Sequence, residues 1–170
     1  LGDIATWHMP LGEPATDQVR TAFWRLTDYA PEDLDHVPSG EIEVSGRKLY
    51  VPRSLKGVAA FSFKRLCGQP LGAADYLAIA RTYHTVIIVG IPRLGPDNRN
   101  EAARFVTLID AFYENKVKLF VTAETAPEDL YEKGSKGNES GRFEFDRTVS
   151  RLKEMQSDEY LSLIHISEPT

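Results

Sequence analysis

Apolar residues recur along this chain with two different periods, and the switches between them mark out the elements. Val19, Ala22, Phe23 and Leu26 stand at i, i+3, i+4 and i+7, one face of a helix over roughly residues 17–28 that Thr16 is placed to cap. The stretch before it, TWHMPLGEPATDQ, holds two prolines and reads as extended, and APEDLDHVPSG reads as a polar linker. EIEVSGRKLYVP alternates on either side of Ser45-Gly46, the pattern of a β-hairpin. GVAAFSF is a further strand and GAADYLAIARTY a short helix.

The clearest unit follows. TVIIVGIP is an unbroken apolar run, predicting a buried strand over about 85–91. After the loop PRLGPDNRN, the residues Ala102, Phe105, Val106, Ile109, Phe112 and Tyr113 fall on one face of a helix over about 100–115, capped by Asn98 or Asn100. VKLFVTAE is a second buried strand, and APEDLY a single helical turn opening at Pro127. Two buried strands joined by one helix predict a parallel β-α-β unit with a right-handed crossover. EKGSKGNESG is then a mobile polar loop, and a last helix starts near Phe145 with Val149, Leu152 and Met155 inward. The fold class is therefore α/β. An N-terminal helix, linker and hairpin region spans 1–56, and the α/β region spans 57–161.

Composition narrows the setting. The chain has 170 residues, 42% hydrophobic and 26% charged, with a formal net charge of −5. That describes a globular protein and argues against nucleic acid as the main partner, which requires clustered Lys and Arg. Cys67 is the only cysteine, so no internal disulfide can form and a reducing compartment is expected. No apolar stretch approaches the ~20 residues that span a bilayer, and LGDIATWHMP lacks the basic start and apolar run of a signal peptide. The first residue is Leu1 rather than Met, as expected of a fragment.

Candidate chemistry sits beyond the carboxyl ends of the parallel strands, where open α/β sheets bind ligands. Thr122 and Glu124 are the polar groups best placed to face a ligand there; the alternative is that they satisfy loop backbone. Asn98, Arg99, Asn100 and Arg104 surround a helix N-terminus that favours anions, or serve only as caps and solvated charges. Arg147 and Arg151 are i and i+4 on the last helix, near Arg142, and can grip a phosphate or a carboxylate; otherwise they form a solvated face. No G-x-x-x-x-G-K-[ST] occurs, and GSKGNESG lacks its spacing. No buried strand ends in Asp-Glu. The chain therefore cannot build a complete hydrolytic nucleotide site by itself. His8, His36, His84 and His165 lack metal-ligand spacing, so no metal site is expected, and His84 reads as a strand-edge hydrogen-bonder. Cys67 reads as a small buried hydrophobe. Ser62 and Ser150 have no inferable His-Asp partners, and no catalytic residue is assigned.

Three stretches, LCGQPLGAADYLAIARTYHTV, NRNEAARFVTLIDAFYENKVKLFVTAE and FEFDRTVSRLKEMQSDEYL, closely resemble the C-terminal half of the ZapE family, bacterial cell-division ATPases related to the mitochondrial AFG-like ATPases. The resemblance runs from about Leu1 to Leu161. It implies an AAA-type, P-loop ATPase whose phosphate loop and Asp-Glu strand lie upstream of these residues, so that ATP and Mg belong to the full-length parent. TVIIVGIP then resembles a structural counterpart of a catalytic strand. The family often has Asp where this chain has Val89. The resemblance further implies a cytoplasmic protein at the inner face of the membrane, with the N-terminal ATPase half of the same protein, further copies of itself and a division-ring protein as partners. Arg147 and Arg151, with Thr122 and Glu124, become the candidate nucleotide contacts. Residues 162–170, SLIHISEPT, fall outside the resemblance and resemble translated sequencing-adapter read-through. The alternative function is a non-catalytic module that docks a division-ring or substrate protein.

Overall fold

A computed structural model of the chain describes residues 5–132 and 139–163. Its centre is a five-stranded sheet in the order β1-β7-β6-β5-β4, formed by β1 (Trp7–His8), β4 (Arg53–Leu55), β5 (Val58–Ser62), β6 (Thr85–Ile91) and β7 (Lys118–Ala123). All neighbours are parallel except β4, which runs antiparallel to β5. The hairpin of β2 (Gly40–Val44) and β3 (Arg47–Val51) turns at Ser45-Gly46 as the alternation predicts. Helices fill the connections: α1 (Glu13–Thr27), α2 (Phe63–Cys67), α3 (Ala73–Thr82), α4 (Arg99–Glu114), α5 (Glu139–Met155) and α6 (Asp158–Leu163). The molecule is thus α/β about a mostly parallel sheet, of P-loop-NTPase-like class, and β6-α4-β7 is the expected β-α-β unit.

Strand side chains alternate between two apolar layers. Leu119, Val121 and Ala123 join Val86, Ile88, Ala59 and Phe61 in a large cluster with α2, α3, α4 and α5. Val44, Leu49 and Val51 of the hairpin enter the same cluster. Phe120, Ile87 and Val58 face the other way and meet Val19, Ala22 and Phe23 of α1. Among the described residues, that second face has only α1 and a short 3-10 turn, Pro31–His36, to cover it. The turn lies inside the stretch read as a polar linker; its Leu34, with the following Val37, is buried in this layer.

Several local expectations change. Thr16 does not cap α1: the helix opens earlier, at Glu13, with Pro14 in its first turn, and the Thr16 hydroxyl donates to the Gly12 carbonyl at 3.0 Å. Asn98 occupies the cap position of α4, but its side chain turns back, accepting from Gly95 N–H at 2.7 Å. Asn100 lies inside the helix. The last long helix begins at Glu139 rather than near Phe145. Most of the loop expected over EKGSKGNESG lies outside the described residues.

The VGIP ending of β6 has a backbone reason. Gly90 has φ +82°, the left-handed region that favours glycine, and the β6–β7 register shifts between Ile88 and Ile91. The resulting bulge leaves the Gly90 N–H without a ladder partner, and Thr122 Oγ1 accepts it at 2.8 Å. Cys67 is fully buried beside Tyr76, and burial pushes its thiol up to about 12, so it is an inert core residue as expected.

Candidate functional site

The carboxyl ends of β6 and β7 open into a cleft of about 530 Å³. The segments after the two strands are tied together: Leu94 N–H donates to the Leu130 carbonyl at 2.8 Å and Glu132 N–H to the Leu94 carbonyl at 2.7 Å. The cleft is bounded by Asp97, Glu128, Asp129 and Glu132, with Arg93 the one basic side chain among its described residues. Lys153 Nζ lies 3.5 Å from Glu128 Oε1 at the rim, so four carboxylates face two basic side chains and the cleft keeps a net negative charge.

Thr122 and Glu124 stand at this end of the sheet, and both are engaged with loop backbone. Buried Thr122 holds the bulge, and Glu124 Oε2 accepts from the Arg93 N–H at 2.9 Å. Glu124 N–H in turn donates to the Ile91 carbonyl at 2.9 Å. Removing the Thr122 hydroxyl while keeping its shape therefore orphans the Gly90 N–H. Thr122→Val is expected to cost about 1–3 kcal/mol in urea unfolding, and an unchanged midpoint would mean that water or another group serves the bulge.

Arg147 and Arg151 come together as the i, i+4 spacing predicts, but on α4. Arg147 Nη2 lies 3.3 Å from Asp110 Oδ2, and Arg151 donates to Asp110 Oδ1 and lies 3.5 Å from Glu114 Oε1. The Arg151 guanidinium also sits 4.8 Å from the Tyr113 ring centroid. Tyr113 in turn donates to Glu154, which, chiefly through that hydrogen bond, raises the phenol pKa. Because α4 carries the chain from the carboxyl end of β6 to the amino end of β7, Asp110 and Glu114 lie toward the amino ends of the strands. The structure therefore separates the arginine pair from Thr122 and Glu124, which lie at the other end of the sheet.

Of the remaining candidates, Arg99 and Asn100 are exposed at the start of α4. Arg104 donates to the Cys67 carbonyl at 3.0 Å, and Asn98 Nδ2 to the Arg93 carbonyl at 2.9 Å. Ser62 caps α2 by accepting from Arg65 N–H. His84 Nδ1 lies 2.7 Å from Thr85 Oγ1, the strand-edge role expected of it. Burial lowers the pKa of His8. His165 lies outside the described residues. Among the described residues no group of three or more His, Cys, Asp or Glu is arranged to hold a metal ion, and no helix is long and apolar enough to cross a membrane.

Three features escape the sequence pattern. Lys118 is 1% exposed and its Nζ has no hydrogen-bond partner among the described residues. Asp75 is buried, accepts from Gly72 N–H at 2.8 Å and pairs with Arg47 of β3 at 2.5 Å, fastening the hairpin to α3. A groove of about 260 Å³ lies between α1 and the sheet. None has a local signal, because each joins segments far apart in sequence.

Comparison with known proteins gives the family. The AFG1-like ATPase family model matches residues 1–163. The cell division protein ZapE of Escherichia coli is 34% identical over 161 residues, covering 95% of this chain and 40% of ZapE. Lactation elevated protein 1 homolog B of Danio rerio is 37% identical over 146 residues, covering 70% of this chain and 29% of that protein. The chain thus spans less than half the length of these curated relatives. No solved structure gives a significant match. With a family match along nearly its whole length, the chain belongs to the AFG1-like ATPase family.

Proposed function

We propose that this chain is the C-terminal portion of a longer, division-linked, ATP-hydrolysing protein, and that it serves the parent by packing and coupling rather than by hydrolysis. One observation carries the proposal: a family match over residues 1–163 coincides with a sheet whose carboxyl-end cleft is acidic. The residues present do not fit ATP. They offer neither a phosphate loop nor an Asp-Glu strand, and the usual ligand position carries four carboxylates. Nucleotide and magnesium accordingly belong to the upstream part of the parent. Docking onto that part, assembly with further copies, contact with a division-ring protein and residence at the cytoplasmic face of the membrane complete the proposal, supported by the relative's being a cell division protein.

Within that scheme the contact with nucleotide or an adjoining subunit falls to Arg147 rather than Arg151. The Arg147 side chain is 52% exposed and, among the described residues, has a single carboxylate partner, whereas Arg151 is 22% exposed and held by Asp110, Glu114 and the Tyr113 ring. In the full-length parent, Arg147→Ala is expected to lower kcat by at least ~10-fold with thermal stability unchanged. Arg151→Ala is expected instead to lower stability by about 1–2 kcal/mol. Steady-state turnover and thermal melts on both variants test this. Wild-type turnover in Arg147→Ala removes the proposed role and leaves the pair as a fastening between α4 and α5.

A further inference from the structure

We propose that the groove between α1 and the sheet is a docking site for an extended peptide segment that presents one bulky apolar side chain beside a carboxylate. A parallel sheet is stable when both faces are covered, and among the described residues the α1 face has one helix and one 3-10 turn where the other face has a full helical layer. What remains open is a cavity of about 260 Å³ floored by Val19, Phe23, Ala60, Ile87 and Val89. That volume suits one large side chain.

The mouth of the groove sets the charge of its occupant. Arg20 and Arg53 stand there, and they share a single carboxylate: Asp35 Oδ1 lies 3.7 Å from Arg20 and 3.4 Å from Arg53. Asp35 is 73% exposed and, among the described residues, leaves one of the two positive charges without a carboxylate of its own. Arg53 is pre-positioned, because its other guanidinium nitrogen donates to the Leu34 carbonyl. An arriving carboxylate meets two guanidiniums over an apolar floor, a setting in which charge-assisted hydrogen bonds are strong. The Thr16 hydroxyl at the wall donates to the Gly12 carbonyl and retains acceptor lone pairs for a peptide N–H crossing the mouth. A short seat with a polar rim matches a side chain on a peptide, whereas the acyl chain of a lipid needs a longer apolar channel.

The test titrates the 170-residue chain against a fluorescein-labelled peptide centred on Glu-Phe-Glu, read by anisotropy. The same peptide with Gln for both Glu serves as the neutral control, and decanoate as a competing small amphiphile. Saturable binding is expected, at least ~10-fold weaker for the Gln peptide and for the Arg20→Gln variant. Ala60→Leu, which fills the seat, is expected to abolish it. Thermal melts accompany both variants, and Arg20→Gln keeps the test decisive if Ala60→Leu fails to fold. Absence of saturable binding, equal binding of the two peptides, an unaffected Arg20→Gln variant, or decanoate displacing the probe as well as unlabelled peptide does would each overturn the proposal.

Discussion

Lys118→Met is expected to stabilise the chain by about 2 kcal/mol at neutral pH, because it removes a buried cation with no hydrogen-bond partner among the described residues. Lys118 opens β7 on the face covered by α1, 1% exposed, with its Nζ 5.2 Å from the Phe120 ring centroid. A cation–π contact returns about 0.5–2 kcal/mol, less than the several kcal/mol that desolvating an ammonium costs, so burial wins. Burial accordingly lowers the Lys118 pKa below its ordinary 10.5. Between the lowered folded value and 10.5 the unfolded chain binds more protons, so the penalty of the buried charge is fully present at low pH and is relieved as pH rises toward 10.5. The advantage of Lys118→Met over the parent chain should therefore shrink with alkalinity. Cys67, Tyr76 and Tyr160 act oppositely, since burial raises their values and alkaline pH destabilises the fold through them. They are common to both proteins and cancel in the difference. Urea midpoints of the two proteins across the alkaline range measure it; a variant less stable than the parent at neutral pH means that Lys118 has a partner in the fold.

Gly57→Ala is expected to cost about 2–3 kcal/mol, combining backbone strain with a steric clash. Gly57 closes the two-residue turn between β4 and β5 with φ +77°, and a Cβ there would come within 2.6 Å of the His84 ring. The ring can yield only by giving up Thr85 Oγ1 and the Lys56 carbonyl. The Gly57 carbonyl also accepts from the N–H groups of His84 and Thr85, at 3.1 and 3.4 Å, so the turn carries the start of β6. Gly90 provides the control. It has φ +82° but nothing within 4 Å of a built Cβ, so Gly90→Ala should cost only about 1–2 kcal/mol. Equal losses in thermal melts of the two variants would remove the role assigned to the His84 contact.

The elements legible in the sequence are those with a strong local period. The runs at 85–91 and 117–124 stand out because they are nearly unbroken and apolar, and the helix between them because its buried positions repeat at about 3.6 residues. β4 did not, because Arg53–Leu55 has three half-buried residues and no alternation to read, although the Lys56-Gly57 turn after it was a usable signal. Lys118 was hidden by its own strand: within VKLFVTAE, read as a buried strand, a single Lys carries no local sign that its own side chain is buried. The candidate site divides similarly. The spacing of Arg147 and Arg151 was visible, but their partner Asp110 is 37 and 41 residues away. Thr122 and Glu124 were legible by topology, whereas their backbone partners on the β6 side, Gly90 and Arg93, appear only once the strands are paired.

In the proposed function this chain supports hydrolysis without carrying it. Steady-state ATP turnover by the purified 170-residue chain, with magnesium present, tests that most directly. The acidic cleft and the missing phosphate loop predict a rate equal to a no-protein blank. Turnover that co-purifies strictly with the chain, and that falls when Asp97, Glu128 or Asp129 is neutralised, would contradict it.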